Sequence, residues 1–480
     1  MPLRLLVSII AFVGALSAPS AADHTQGVTP SEAASAVIWF KPTTPASLVD
    51  VHYLVSGVPQ QNVRMTDRGG TWEKTVGDLS SGTRVEYWFT YEKGGPLYET
   101  PRFTYTHNGS GGTGPGTFPV TFTNNTAGRW SDSQIHIMIL GMPTPGEWHY
   151  LRSDGTLAHI DQSEENAPGH LTKNGRNYAD MSFTLAQAPT VTIPSRIEGA
   201  RMYVSLGSPM YIPISPDNRG WGGPDLANPS DPNQDVHFDW YEFTYAHDAI
   251  PFGGNTTQVD MFGFPMTARL QQSAIGYDET VGITLTRDQV RSRYTAAVGS
   301  PFRPLVNDHR IVAPRSSPLF RQSEYLKPVI DQVWNHYTAN QFTLNRLGVT
   351  FTGRVSGGRL QFTRNGAGPY FLNKPTTKDV VECSGALASA GMSTVELELG
   401  AEFCAAFNRG VAMNPAAWWG TASGYYPAGV ARNDYAGFFH TVGLQGRAYG
   451  FAYDDINDQS SVKILPNANP PTRLTIGIGW

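Results

Sequence analysis

The sequence predicts a mainly β protein built from more than one unit, and three observations point there. Gly and Pro, 50 and 35 of 480 residues, supply turns in abundance, while charged residues make up only 16% of the chain. Lys- and Glu-rich stretches of helical period are few. Short alternating runs of apolar and polar residues, split by turn signals, recur along most of the length. A chain this long has room for two or three domains with cores of their own. Aromatic residues at 11% argue for folded structure over disorder. The formal net charge is -5 and basic runs are absent from the sequence. Neither a nucleic acid nor an anionic membrane is therefore an expected partner.

Residues 1–22 read as a secretory signal peptide. Arg4 precedes an apolar run at residues 5–16, and Ser20, Ala21 and Ala22 offer a small-residue cleavage site before Asp23. The run is too short to span a bilayer, so secretion is the expected fate. The chain has two cysteines, Cys383 and Cys404, and in an exported protein these are expected to form one disulfide. Neither CxxC nor HExxH occurs, and no metal is expected. No cofactor is expected either. Residues 109–114 match G-x-G-x-x-G, but they open no helix and Pro115 follows.

Residues 27–107 read as a small β-sandwich. Residues 49–55 alternate, and the turn signal Asp67-Arg-Gly-Gly70 divides two further strands. Residues 84–91 place Val85, Tyr87, Phe89 and Tyr91 on one face, and Glu86, Trp88 and Thr90 on the other, with a last strand at 98–107. An exposed Trp88 would be a flat platform for a sugar ring, the alternative being that it packs under a loop or against another sheet. Trp72, just after a turn, is a second candidate. The segments Val37-Ile-Trp-Phe-Lys41, Val49-Asp-Val-His-Tyr53, Gly70-Thr-Trp-Glu73 and Tyr87-Trp-Phe-Thr-Tyr-Glu-Lys93, then Phe103-Thr-Tyr-Thr-His107, resemble carbohydrate-binding module family 56. That resemblance implies a β-sandwich that binds β-1,3-glucan. Residues 108–117, rich in Gly, read as a short linker.

From residue 118 strand-like runs resume. Between 278 and 410 helix starts appear. Thr286-Arg-Asp-Gln289 and Ser393-Thr-Val-Glu396 are capping boxes, the second opening a helix that ends before Gly410, and Ser323 is placed to cap a run through His336. The expected layout is a β domain formed by 118–277 and 411–480, with an α/β insertion at 278–410.

The chemistry is expected within residues 238–266. Tyr241, Phe243 and Tyr245 alternate with Glu242 and Thr244. Val259 and Met261 likewise alternate with Gln258, Asp260 and Phe262. If the two strands are neighbours, burying both apolar sets puts Glu242 and Asp260 on one polar face. Two carboxylates flanking a groove are what glycoside hydrolysis requires, although acids on the solvent face of a strand are otherwise simply solvated. Asp239 is near enough to help position substrate. Asp454, Asp455 and Asp458 lack the Gly and closing Glu of a calcium loop and read as a turn and groove wall.

The segments Arg201-Met-Tyr-Val-Ser-Leu-Gly-Ser-Pro209, Glu242-Phe-Thr-Tyr245, Gln258-Val-Asp-Met-Phe-Gly-Phe-Pro265, Cys404-Ala-Ala-Phe-Asn-Arg409 and Tyr449-Gly-Phe-Ala-Tyr-Asp-Asp455 resemble glycoside hydrolase family 64. The resemblance implies an inverting endo-β-1,3-glucanase of a type that often releases laminaripentaose. Its fold would be a thaumatin-like β-barrel or sandwich domain and an α/β domain around a wide groove. Matched residue by residue, it implies Glu242 as general acid, Asp260 as general base and Thr244 as a groove residue near the acid. The stretch between the carboxylates is about two residues longer than the family's pattern, around 248–254, which is expected to alter the groove rim more than the pair. The expected partner is β-1,3-glucan, met by a monomer. The rival reading is a non-catalytic glucan-binding protein of thaumatin-like shape.

Overall fold

A computed structural model describes residues 24–480 apart from 33–34, 56–59, 78, 80–81, 94–96, 108–116, 195, 248–249 and 467–469. The segment read as a signal peptide, nearly all of the Gly-rich stretch and Asp248 of the longer loop lie outside the described residues. The chain divides into two compact units at residues 115/116.

The first unit is a β-sandwich. One sheet runs in the order His24–Glu32, Ser35–Pro42, Trp72–Val76, Thr66–Asp67. The other runs Gln61–Arg64, Leu48–Val55, Arg84–Glu92, and both Leu97–Glu99 and Phe103–Thr106 pair with this last strand. Strand alternation decides the interior: Ile38, Phe40, Val49, Val51, Val85 and Phe89 are all at most 1% exposed. The tight turn that the sequence signals is present, with the Asp67 carboxylate accepting the Gly70 N–H at 2.7 Å. Gly69 and Gly70 adopt φ of 76° and 88°, which residues with a Cβ rarely take.

The second unit is built on two sheets. A five-stranded sheet runs Thr190–Ile193, Phe118–Asn125, Arg473–Gly479, Met266–Gln272, Tyr277–Gly282. Its first and last strands in sequence, Phe118–Asn125 and Arg473–Gly479, lie side by side in parallel. An eight-stranded sheet has Ile135–Thr144, Ile197–Leu206, His237–His247 and Ile250–Thr256 as consecutive antiparallel neighbours. Between the sheets lies one core that includes Phe118, Ile137, Val204, Tyr241, Phe243 and Ile476. Lateral pairing of strands with one apolar face each produces this layering, since each sheet covers the other's apolar side.

Residues after Gly282 form the α/β part. The Thr286 box is realised as the cap of helix Arg287–Ala297, and the Ser393 box as the cap of Thr394–Asn408. Ser323 does not cap. The helix begins at Lys327, where Pro328 occupies the first turn, and it continues to Ala339. Helices Lys327–Ala339 and Thr394–Asn408 share a core with the four-stranded antiparallel meander Phe342–Arg346, Val349–Ser356, Arg359–Arg364, Ala367–Asn373. The return to the β sheets comes later than residue 411. Helix Asp434–Val442 intervenes, and its Tyr435, Phe438 and Phe439 pack with Tyr294 and Phe302 of the α/β part. Strands resume at Lys463–Ile464. Among the described residues, no helix is long and apolar enough to cross a membrane.

Cys383, which ends helix Thr377–Glu382, is bonded to Cys404 in the middle of Thr394–Asn408. Closing a loop with a sequence separation of 21 contributes about 3 kcal/mol in the chain-entropy account. Thiol titration of the unfolded, unreduced protein should find no free thiol; two free thiols would contradict the bond.

Candidate active site

The strand His237–His247 lies between Ile197–Leu206 and Ile250–Thr256, with Glu242 opposite Arg201 on one side and Asn255 on the other. Alternation holds as expected. Tyr241, Phe243 and Tyr245 are at most 3% exposed within the inter-sheet core, so Glu242 and Thr244 project from the opposite face, where they are half-buried. Trp240, also on that face, donates its indole N–H to Glu242 Oε1 at 3.0 Å. Arg201 Nε stands 3.4 Å from the same oxygen.

Asp260 reaches the region by a different route from the expected one. The neighbour of the Glu242 strand is Ile250–Thr256, and beyond it the chain leaves the sheet. Met261–Phe262 then pair with Ile311–Val312 of the α/β part. Residues 258–263 do not alternate between core and solvent, because Gln258, Val259, Met261 and Phe262 are all buried. From 254 to 266, Asp260 is the one residue that is not buried. Its backbone carbonyl accepts the Ala313 N–H at 3.0 Å, and its Oδ1 accepts the Ser316 hydroxyl and faces Arg315 Nε, each at 3.3 Å. Upstream, the Gln258 N–H donates to the Tyr449 carbonyl at 2.8 Å, the Gln258 side-chain oxygen accepts the Tyr449 N–H at 3.3 Å, and the Gln258 carbonyl accepts the Tyr435 hydroxyl at 2.7 Å.

A cleft of about 320 Å³ is lined by Arg201, Tyr203, Trp240, Asp260, Arg315 and Glu382, among others. Two of these, Arg201 and Trp240, hold Glu242. Burial opposes the charge of Arg201, but the fields of Tyr203, Glu242 and Asp260 outweigh it and raise the guanidinium pKa. Burial pushes the Tyr203 phenol up to about 12, so it stays a neutral donor at the base of the cleft. Arg201 thus lies within the field of both carboxylates, which links them electrostatically.

The other candidate residues stand in closed or already bonded surroundings. Asp239 is 3% exposed and its oxygens are taken: Oδ1 accepts the Trp240 N–H at 2.8 Å and Oδ2 the Gly263 N–H at 2.9 Å. So enclosed, Asp239 is absent from the lining of the cleft. Burial pushes its pKa up to about 7 against the pull of those N–H groups. Trp72 lies opposite Phe40 and belongs to the sandwich core at 8% exposure. Trp88 does face outward as its register requires, yet it is only 5% exposed. The Arg102 guanidinium sits 4.1 Å from its ring centroid, and the His52 ring stacks at 5.3 Å. Neither tryptophan is an open platform. Thr244 is near the acid as expected, but its hydroxyl accepts the Gly199 N–H at 3.1 Å, fastening a bulge where Gly199 has φ of 57°. Asp454, read as a turn and groove-wall acid, is fully buried between Arg409 at 3.1 Å and His440 at 2.9 Å.

Comparison with known proteins decides the family. The model of the family described as "Beta-1,3-glucanase", Glyco_hydro_64, matches residues 116–478. The chain belongs to glycoside hydrolase family 64. Residues 26–100 match carbohydrate binding module family 56. A curated relative, a glucan endo-1,3-beta-glucosidase of Arthrobacter sp. (strain YCWD3), is 28% identical over 381 residues. That match covers 74% of this chain and 64% of the relative, so the chain spans less than two thirds of the relative's length. Among solved structures, the family 64 β-1,3-glucanase domain of Clostridium beijerinckii aligns with a TM-score of 0.70 and 33% identity. It covers 76% of this chain and 98% of that one. The laminaripentaose-producing β-1,3-glucanase of Paenibacillus barengoltzii, solved with laminarihexaose, aligns with a TM-score of 0.60 and 33% identity, over 96% of this chain and 100% of that one.

Arg201, Trp240, Arg315 and Ser316 were not singled out by sequence reasoning. Trp240 had a signal, since it is two residues from Glu242 on one strand and therefore on the same face. Arg315 and Ser316 had none, because they arrive from the α/β part.

Proposed function

We propose that this chain is an exported endo-β-1,3-glucanase that cleaves with inversion, with Glu242 as general acid and Asp260 as general base. What carries the reading is Asp260. In a stretch otherwise buried from 254 to 266, it opens a carboxylate into a cleft whose lining residues also hold Glu242. Family membership supplies the substrate class.

The chemistry follows from the hydrogen bonds. Glu242 Oε1 faces two N–H donors, so the transferable proton belongs on Oε2. That proton goes to the glycosidic oxygen as its bond to the anomeric carbon breaks. A water held by Asp260 adds to the same carbon from the opposite face, and Asp260 takes the proton that this water loses. Arg315 and Ser316 keep the base oriented. Attack on the face away from the leaving group makes the first product an α-anomer.

The N-terminal module is proposed to support the same activity. Its outer face, with Trp88 between His52 and Arg102, is proposed as the glucan-contacting surface. A tethered module keeps the hydrolase near an insoluble chain without tight monovalent affinity. Laminaripentaose is the proposed main product, as in the relatives described as laminaripentaose-producing.

The test is incubation with laminarin and with curdlan. The expected result is release of reducing ends, a dominant pentasaccharide, and an α-anomer first by proton NMR. A β-anomer first would overturn inversion. No release, with binding retained, would leave the non-catalytic glucan-binding protein.

A further inference from the structure

Asp239 is three positions before Glu242 on the same strand, and Gly263 is three positions after Asp260. The two are joined by the Gly263 N–H to Asp239 Oδ2 bond of 2.9 Å. The other side of Gly263 is also held, for Arg287 Nε donates to the Gly263 carbonyl at 2.9 Å. Arg287 is itself fixed, with a bond to the Asp308 carbonyl at 2.7 Å and its guanidinium 4.5 Å from the Trp480 ring centroid. The approach of Gly263 to the Glu242 strand leaves no room for a side chain, since an added Cβ would lie 2.0 Å from the Phe238 carbonyl oxygen. The remaining anchors of the Asp260 segment lead elsewhere. Gln258 is tied to Tyr449 and Tyr435, and Asp260, Met261 and Phe262 to residues 311–313. The Gly263 pinch, with the neighbouring Phe264 N–H that also reaches Asp239, ties the segment that carries one carboxylate directly to the strand that carries the other.

We propose that Asp239 is a positioning residue, which with Arg287 clamps the Gly263 peptide and so sets where Asp260 stands relative to Glu242. The inference rests on the acid–base reading above. Both Asp239 oxygens accept from backbone N–H groups, an arrangement that calls for an acceptor at each position. An asparagine there has nearly the same shape but turns one N–H against another. The expected consequence is a small displacement of the base, and in catalysis a displacement of about 1 Å costs on the order of 10²-fold.

The test compares full-length Asp239→Asn, Arg287→Lys and Asp260→Asn with the parent on soluble laminarihexaose. For Asp239→Asn the expected result is a fall in kcat of about 30–100-fold with KM changed by less than about 3-fold. Hydrogen exchange should quicken in the peptide containing Gly263 and stay unchanged in the module and the α/β part. Arg287→Lys, which keeps the charge but loses the directed Nε, should shift kcat and exchange in the same direction by less, and it decides the matter if Asp239→Asn does not fold. Native kcat in folded Asp239→Asn would overturn the proposal. So would a raised KM at unchanged kcat, which would make Asp239 a sugar contact. An active Asp260→Asn would fault the acid–base assignment instead, whereas an inactive Asp260→Asn beside a fully active Asp239→Asn would fault the clamp alone.

Discussion

Glu242→Gln and Asp260→Asn are each expected to lower turnover of laminarihexaose by about 10²–10⁴-fold, the range that a positioned acid or base contributes. Folding should survive both changes. The two side chains are about a third exposed, and each amide keeps an oxygen for its partners, Trp240 and Arg201 in one case, Ser316 and Arg315 in the other. Melting temperatures within a few degrees of the parent, together with the loss of turnover, are the expected combination. A variant that keeps near-native turnover removes its residue from the pair. The kinetic pattern also separates these roles from binding, because removing an interaction made only in the transition state lowers kcat without raising KM.

Trp88→Ala is expected to have the largest effect in the N-terminal module. The indole is 5% exposed and is bracketed by Arg102 and His52, while His52 is in turn bonded to Asn62 at 2.6 Å and Thr90 at 2.8 Å. Removing a buried Trp side chain costs about 3–5 kcal/mol. In a domain of this size that lowers the melting temperature by more than about 10 °C. The fragment 23–107, which has a core of its own, is the sample for the melt and for a pull-down on insoluble β-1,3-glucan. Loss of both stability and pull-down fits an indole that braces the binding face. Native stability and undiminished pull-down would clear Trp88 of either role.

How far the sequence could be read depended on how local each signal was. Glu242 was legible because Tyr241, Phe243 and Tyr245 mark the buried side of the strand without ambiguity. The capping boxes at Thr286 and Ser393 were legible for the same reason, as a cap is a bond between residues three apart. The strand alternation that singles out Asp260 in the sequence is absent from the structure. Its neighbours are buried on every side, and total burial has no period to read. Trp88 shows the limit from the other direction. Its outward register was readable, whereas its cover comes from His52 and Arg102, which lie 36 positions before it and 14 after it, and cross-strand partners leave no mark in the local pattern. Asp239 is close to Glu242 along the strand, but closeness along a strand does not decide access to the cleft, and its side chain is buried.

The parallel pairing of Phe118–Asn125 with Arg473–Gly479 has a bearing on how the second unit comes into being. Thr123 and Ile476, near neighbours in that ladder, are 353 positions apart in the chain. Closing such a loop costs on the order of 5 kcal/mol from its length alone. At ribosomal speeds of about 5–20 residues per second, the opening strand waits roughly 20–70 s for the closing one. Until then, among the described residues, its only sheet neighbour is the four-residue Thr190–Ile193. The two-sheet body therefore cannot be completed until residues 473–479 have been made, whereas the helices and meander of residues 327–408 share a core that draws on no residue beyond Ile456. Assembly is expected to be nested, inner part before outer. Deleting residues 473–480 should accordingly be strongly destabilising, since it leaves the five-stranded sheet without its central strand.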